Sequence, residues 1–265
     1  MKTSRLFYLF LAISLFALTG CPSAGVYRTA HTLEKGQSDF GLNFNAFQIK
    51  STNDHDTQSI TIPNFIPELH YHIGVGNNME IGGRVALGSM MAEFDFKYKF
   101  FESREKTTHI AVNPAVGYRS FIFIEGPHLT LPIIASYDLT SSLSITGFAY
   151  ANYYNFQSPD GEITAEDYED SDDNGANSAY FIINGVTTGA GVGIKYAGET
   201  FYIMPSVDFF TTAVNFSDDA EQNTMQGVIF NISFGWIGGK EMQKLNQMDN
   251  KLDRIEQNQH RDYDY

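Results

Sequence analysis

The chain has 265 residues, of which 14% are aromatic and only 18% are charged, and it contains 23 glycines. Its 17 Lys and Arg against 31 Asp and Glu give a net charge of −14, which excludes a nucleic-acid partner because phosphates need clustered cations. This length suits one large β domain or two ordinary domains.

The first 20 residues form a targeting segment that does not belong to the fold. Lys2 and Arg5 precede an apolar run at residues 6–18, which is too short to span a bilayer. The run ends in Leu-Thr-Gly-Cys at residues 18–21, and Cys21 is the only cysteine. We predict a signal peptide over residues 1–20. An ordinary signal peptide that happens to contain a cysteine is the alternative.

Residues 18–21 resemble the lipobox of bacterial lipoproteins, in which the cysteine is lipidated and becomes the first mature residue. The resemblance implies a lipoprotein with palmitate-type acyl chains on Cys21, followed by a tether at residues 21–38. Pro22 stands where an aspartate would mark retention in the inner membrane, so the resemblance implies the outer membrane of a Gram-negative bacterium. Lipidation also accounts for an unpaired cysteine in an exported chain.

Residues 93–100 read Glu-Phe-Asp-Phe-Lys-Tyr-Lys-Phe, with aromatic and charged side chains in strict alternation. Alternation at period two predicts a strand with one aromatic face and one charged face. Such a strand fits a barrel wall with lipid outside and a wet, charge-paired interior.

Ten segments of this kind are predicted between residues 39 and 237. They occupy residues 39–49, 60–73, 79–87, 90–101, 109–123, 129–139, 143–156, 180–196, 201–216 and 225–236. Each is long enough to cross a bilayer as a tilted strand, which takes about 9–11 residues. We therefore predict an all-β fold, an antiparallel transmembrane barrel of about ten strands. An even strand number and alternating short and long connections place both termini in the periplasm.

The predicted inner face carries charges of both signs. Its polar residues are Glu68, His70, His72, Arg84, Glu93, Asp95, Lys97, Lys99, Arg119, Asp138 and Asp208. Mixed signs favour a salt-bridged plug, because a charge-selective pathway would carry one sign. A narrow polar pathway is the alternative. Glu68, His70 and His72 share one face, and the two histidines could bind one metal. No third ligand is identifiable, so hydrogen bonding in the lumen is the simpler interpretation.

Two segments depart from the regular pattern. In residues 143–156, aromatic residues fall on both faces. In residues 180–196, Gly189, Gly191 and Gly193 indicate a bend or close packing.

An acidic loop is predicted at residues 157–177. Within it, Asp170, Asp172 and Asn174 match the first half of a calcium-binding loop, but Phe181 stands where the bidentate glutamate belongs. A solvated acidic loop is therefore the simpler interpretation. Ca2+ is the single cofactor that the sequence suggests, and otherwise we expect none.

The last segment, residues 238–265, is predicted to be a periplasmic amphipathic helix with a polar tail. Leu245, Met248, Leu252 and Ile255 follow a three-four-three spacing, which is typical of a short coiled-coil stripe. We expect at most weak self-association through it.

The sequence holds no Gly-x-Ser-x-Gly, His-Glu-x-x-His or phosphate-binding glycine motif, so we predict no enzyme. The chain resembles bacterial outer-membrane β-barrel lipoproteins, which implies outer-membrane lipid as its partner. We predict a narrow transport pathway or a structural membrane protein. One alternative is a surface module that binds divalent cations or an unknown external partner through acidic loops. Another is a lipid-anchored soluble barrel with inverted faces and an apolar ligand inside.

Overall fold

A computed structural model describes residues 26–53, 56–121, 124–157, 182–216 and 223–239. Nearly all of them are strand. The strands are β1 (Ser38–Asn53), β2 (Asp56–Gly76), β3 (Met79–Ala86), β4 (Met91–Glu102), β5 (Thr108–Val112), β6 (Ala115–Phe121), β7 (Ile124–Asp138), β8 (Leu143–Gln157), β9 (Ile182–Ala197), β10 (Phe201–Phe216) and β11 (Asn223–Gly238). All neighbours pair antiparallel, and β1 pairs with β11, so the sheet closes into a barrel.

The wall contains ten strand positions because β5 and β6 occupy one position in succession. Both lie between β4 and β7. Pro114 separates them, since proline has no N–H for the ladder; its carbonyl still accepts a 3.0 Å hydrogen bond from the Phe96 amide. The predicted ten-stranded antiparallel barrel is confirmed.

The two rims of the barrel differ. At one rim, here called the turn rim, short connections join β2 to β3, β4 to β5, β7 to β8 and β9 to β10. The pairing of Ser38 with Gly238 places both ends of the barrel there. At the opposite rim, the predicted strand ends are wrong. β1 was predicted to end at residue 49, but it continues to pair with β2 from Lys50 to Asn53. The strand predicted from residue 129 begins at Ile124, as β7.

The faces of β4 are as the alternation predicted. Phe94, Tyr98 and Phe100 are 42–55% exposed on the exterior, whereas Asp95 and Lys97 are 3% and 2% exposed in the lumen. The exterior of the other strands is equally apolar. It includes Phe40, Tyr71, Leu129, Leu131, Ile133, Tyr137, Tyr153, Val192, Ile194, Tyr196, Phe209, Phe230 and Trp236. The soluble barrel with inverted faces is therefore wrong for the described strands.

Aromatic rings gather on the exterior near the turn rim. Phe40 stacks on Trp236 with ring centroids 6.2 Å apart, and Phe201 meets Trp236 edge-on at 5.5 Å. Aromatic rings at this height are typical of the girdle that borders the apolar band of membrane barrels.

The aromatic residues of β8 and the glycines of β9 depart from the regular pattern for one reason, which is that they pack against each other. Phe148, Tyr150, Tyr154 and Phe156 alternate into the lumen and are 4–5% exposed. Glycines on β9 face these rings: a Cβ on Gly191 would lie 2.5 Å from Phe148 Cζ. The glycines of β9 therefore allow close packing, because the absence of a Cβ leaves room for the large rings of β8.

Gly191→Ala is expected to lower the free energy of unfolding by about 1–3 kcal/mol, as overpacking does in other cores. The new methyl group would meet the Phe148 ring and the Val207 carbonyl oxygen, each at 2.5 Å. Urea titration in detergent micelles, followed by fluorescence of the single Trp236, measures the change. Gly147→Ala is the matched control, because nothing lies within 4 Å of its Cβ position; equal effects of both substitutions would contradict this packing.

No helix among the described residues is long and apolar enough to cross a membrane. The predicted signal peptide, Cys21, residues 158–177 of the predicted acidic loop and the C-terminal segment from residue 240 lie outside the described residues. The predictions for them, including Asp170, Asp172 and Asn174, stay predictions.

Candidate functional site: the barrel lumen

Residues 26–33, here called the luminal segment, lie inside the barrel. Val26, Tyr27, Ala30 and Leu33 are 0–9% exposed, although sequence alone placed them in a tether. The amide of Ala30 donates a 2.8 Å hydrogen bond to Ser136 Oγ on β7. The lumen therefore holds a stretch of the chain's own backbone in addition to side chains from the wall.

A cluster of four charges fixes the luminal segment. Arg28 forms ion pairs with Glu80 and, at 3.2 Å, with Asp95. Glu80 is 0% exposed, and it also binds Lys97 at 3.0 Å and accepts a hydrogen bond from the Leu33 amide. Buried charges persist when they are paired and hydrogen-bonded, and here each charge supplies a partner for another.

A second cluster centres on Arg84. Its guanidinium lies 2.9 Å from Glu93 and 3.6 Å from Glu68, and it stands 5.4 Å from the ring centroid of Tyr27 in a cation–π contact. Glu93 also accepts a 3.1 Å hydrogen bond from His128 Nε2. The Tyr27 ring connects this cluster to the luminal segment.

Arg119 and Asp208 lie in a less polar part of the lumen. Arg119 stands 5.5 Å from the Phe156 ring centroid and 3.6 Å from Met91 Sδ. Asp208 is 0% exposed and accepts a 3.2 Å hydrogen bond from Asn231 Nδ2. Both belong to the filling of the lumen.

Lys99 and Asp138 lie at the turn rim. Lys99 forms an ion pair with Glu102, and Asp138 binds His31 Nε2 at 2.8 Å and His109 Nε2 at 3.3 Å. His31 belongs to the luminal segment. Partial burial lowers the pKa of its imidazole, and the charge of Asp138 offsets this only in part.

His70 and His72 are held by hydrogen bonds. His70 Nδ1 accepts from Asn43 at 3.1 Å, and its Nε2 lies 3.1 Å from the Tyr202 hydroxyl. His72 Nε2 donates to Asp95 at 2.7 Å. These partners are the ordinary ones of lumen histidines.

Glu68 shares a face with these histidines but does not group with them as a ligand. Its carboxylate accepts a 2.8 Å hydrogen bond from Asn45 and lies near Arg84. Asp39 takes its place, with ligand atoms of Asp39, His70 and His72 within 4.8 Å of one another.

Sequence reasoning missed Arg28 and Glu80. Glu80 and Arg84 are four positions apart on β3 and therefore lie on the same face of the strand. Extending the alternation to the start of β3 predicts that Glu80 faces the lumen. Arg28 lies in a stretch without periodicity, and its place depends on contacts 52 and 67 residues away in sequence. No local pattern signals such contacts.

The space that remains in the lumen is small. A cavity of about 40 Å3 lies beside Val26, Tyr27 and Arg28, which is room for a few water molecules. A larger cavity of about 300 Å3 opens at the turn rim and is lined by Arg28, His31, Lys195 and Tyr202 among others.

No family model and no curated protein matches this chain. Solved structures that resemble it include Ail, the attachment invasion locus protein of Yersinia pestis, at 11% identity over 77% of this chain and 100% of that one, with a TM-score of 0.35. The neisserial surface protein NspA shows 10% identity over 74% and 96% of the two chains, TM-score 0.35. The outer-membrane protease OmpT from Escherichia coli shows 8% identity over 79% and 100%, TM-score 0.40. At such low identities and TM-scores, the likeness does not indicate a function for this chain.

Proposed function

We propose that this protein is a lipid-anchored outer-membrane barrel with a structural, non-enzymatic role and a closed lumen. The observation that carries the proposal is the ion-paired luminal segment, in which Arg28 is held by Glu80 and Asp95. With the segment in place, the central lumen retains a cavity of about 40 Å3. A barrel filled in this way supports a wall and its external loops but offers no aqueous path.

The membrane location is supported by the two surfaces of the wall. In lipid, backbone polar groups must be satisfied internally, which a closed barrel achieves because it has no free edge. The exterior carries an apolar band with aromatic rings such as Trp236 near the turn rim, while charges face inward. Because short connections face the periplasm in outer-membrane barrels, we place the turn rim there, together with both ends of the barrel.

The lipid anchor at Cys21 must be compatible with the position of Val26. Val26 is buried in the lumen and follows Cys21 by five positions. Five residues span at most about 18 Å when fully extended. A lipid on Cys21 therefore has to enter the bilayer within about 18 Å of the central lumen, where Val26 lies, and hence directly beside the barrel wall.

Lipidation is expected to depend on Cys21 alone, because the chain has no other cysteine. Cells that express the protein and are fed a labelled palmitate analogue should yield a labelled protein, and Cys21→Ser should remove all label. The labelled fraction should accompany the outer membrane in a density gradient. Label that persists in the Cys21→Ser variant would rule out this anchor.

The wild-type protein is expected to show no stable conductance in planar lipid bilayers, because the filled lumen leaves no continuous water column. The measurement is single-channel recording of the purified protein at both voltage polarities. A matched preparation of a known open porin shows that insertion is detected. Reproducible ohmic steps from the wild-type protein would refute a closed structural barrel.

A gated narrow pathway is the second candidate, favoured by the cavity of about 300 Å3 at the turn rim. In that case the luminal segment is a gate, and weakening its attachment should open the barrel. Glu80→Gln removes the carboxylate that holds both Arg28 and Lys97. Channels in this variant but not in the wild type support the gate, whereas a folded and silent variant supports the structural role.

A further inference from the structure

We propose that His31, His109 and Asp138 form a binding site for a divalent transition-metal ion of the Zn2+ type at the turn rim. The ligand atoms of the three side chains all lie within 4.8 Å of one another. His31 comes from the luminal segment, His109 from the start of β5 and Asp138 from the end of β7. The site thus joins three parts of the chain that are distant in sequence.

The donor set suits such an ion. Imidazole nitrogen and carboxylate oxygen are common zinc ligands, at about 2.0–2.2 Å from the metal. Both imidazoles already point at one carboxylate: His31 Nε2 lies 2.8 Å from Asp138 Oδ1 and His109 Nε2 lies 3.3 Å from Oδ2. Shifts of about 1 Å would let the two nitrogens and one oxygen surround an ion that replaces the shared protons.

The two imidazole rings lie against each other, with centroids 4.1 Å apart and planes inclined by 48°. Asp138 is within hydrogen-bond distance of both rings, and His109 Nε2 also lies 2.9 Å from the carbonyl oxygen of Lys106. The Glu102 carboxylate lies 3.4 Å from His109 Nδ1, and a small movement would let it accept the Nδ1 hydrogen bond that orients a metal-binding histidine.

An ion can reach this position from solvent. The side chains of His31 and Asp138 are 34% and 26% exposed, and both line the cavity of about 300 Å3 at the turn rim. The other candidate cluster, Asp39, His70 and His72, is 2–7% exposed. We therefore assign the ion to the rim.

A bound ion would tie the luminal segment to the wall. His31 lies three residues beyond Arg28, so the metal would add a second attachment beside the Arg28 ion pairs. Ion binding is measured directly as an equilibrium. Its result therefore does not depend on whether the protein is lipidated or conducts ions.

The test is isothermal titration of Zn2+ into the chelator-treated, full-length protein in detergent, with Co2+ absorption as a spectroscopic readout. The wild type should bind one ion at this site with a d–d spectrum of a low-coordinate centre. His31→Ala and Asp138→Asn should weaken binding by about 100-fold or more, beyond the 10–100-fold typical of losing a group that only orients a ligand. Both positions are partly exposed, and the mobility of unheated protein on a detergent gel verifies that the variants fold.

His128→Gln and His70→Gln are the matched controls, because they remove imidazoles from elsewhere in the lumen. They should leave the affinity and the Co2+ spectrum unchanged. If His31→Ala binds Zn2+ as tightly as the wild type, the ions occupy other groups and the proposal is overturned. Equal weakening by His70→Gln, or no binding by the wild type, would overturn it as well.

Discussion

Glu80→Gln is expected to lower the free energy of unfolding by about 3–5 kcal/mol, the range observed when one member of a buried ion pair is removed. Glu80 is fully buried and binds Arg28 and Lys97, and it accepts a hydrogen bond from the Leu33 amide. Glutamine preserves the volume of the side chain and removes its charge. Arg28 then keeps its ion pair with Asp95, whereas Lys97 loses its ion pair with Glu80.

The measurement is urea titration of the protein in detergent micelles, with Trp236 fluorescence as the signal. Glu105→Gln is the control, because Glu105 is exposed in the connection between β4 and β5, and such surface changes stay within about 0.5 kcal/mol. The released luminal segment should also become accessible, so that a cysteine introduced at Thr29 reacts faster with a water-soluble maleimide in the Glu80→Gln background. A variant as stable as Glu105→Gln would mean that the ion pairs do not hold the segment.

Leu131→Arg on the exterior is expected to cost about 2–4 kcal/mol, the penalty for an arginine at the bilayer midplane of a membrane barrel. Leu131 lies seven positions from either end of β7 and is 49% exposed. Tyr137→Arg is the matched control, since Tyr137 is 51% exposed on the same face of the same strand but lies at the turn rim. There the penalty should fall to about 0–1 kcal/mol.

This pair of variants separates lipid from water around the barrel. Folding into vesicles, followed by urea titration, gives the two free energies. If water bathed the exterior, both arginines would sit on a solvated surface and each change would stay within about 0.5 kcal/mol. The two positions are equally exposed, so a large difference between their changes in unfolding free energy is expected only if the surrounding medium becomes less polar with depth, as a bilayer does.

The barrel could be predicted from the sequence because the alternation of residue types that indicates its strands is a local pattern. Along residues 93–100 every second side chain is aromatic, and the period of a strand converts that order directly into an outer and an inner face. Positions such as Asp95 and Lys97 therefore fell on the lumen side without knowledge of any partner. The predicted strand ends opposite the turn rim were wrong because polar strand ends lose the aromatic signal while their backbone pairing continues, as it does from Lys50 to Asn53.

The contents of the lumen could be predicted only in part, because they depend on contacts across the barrel. The aromatic pattern of β8 has no explanation within its own sequence. It is explained by the glycines of β9 that lie opposite the rings, such as Gly191 opposite Phe148. The luminal segment gave no signal, since Arg28 finds Glu80 and Asp95 only after the barrel closes. The rim cluster of His31, His109 and Asp138 is hidden for the same reason: its members come from three separate segments.

The most direct test of the central claim is the behaviour of the non-lipidated protein in membranes. For this test, the chain is expressed with an ordinary cleavable signal peptide and with the substitution Cys21→Ser, so that no lipid anchors it to the membrane. We expect the unheated protein to migrate faster on a detergent gel than the heated protein, and to stay in the membrane fraction in carbonate and urea. Normal migration of the unheated protein, with release by carbonate, would contradict a barrel that spans the membrane.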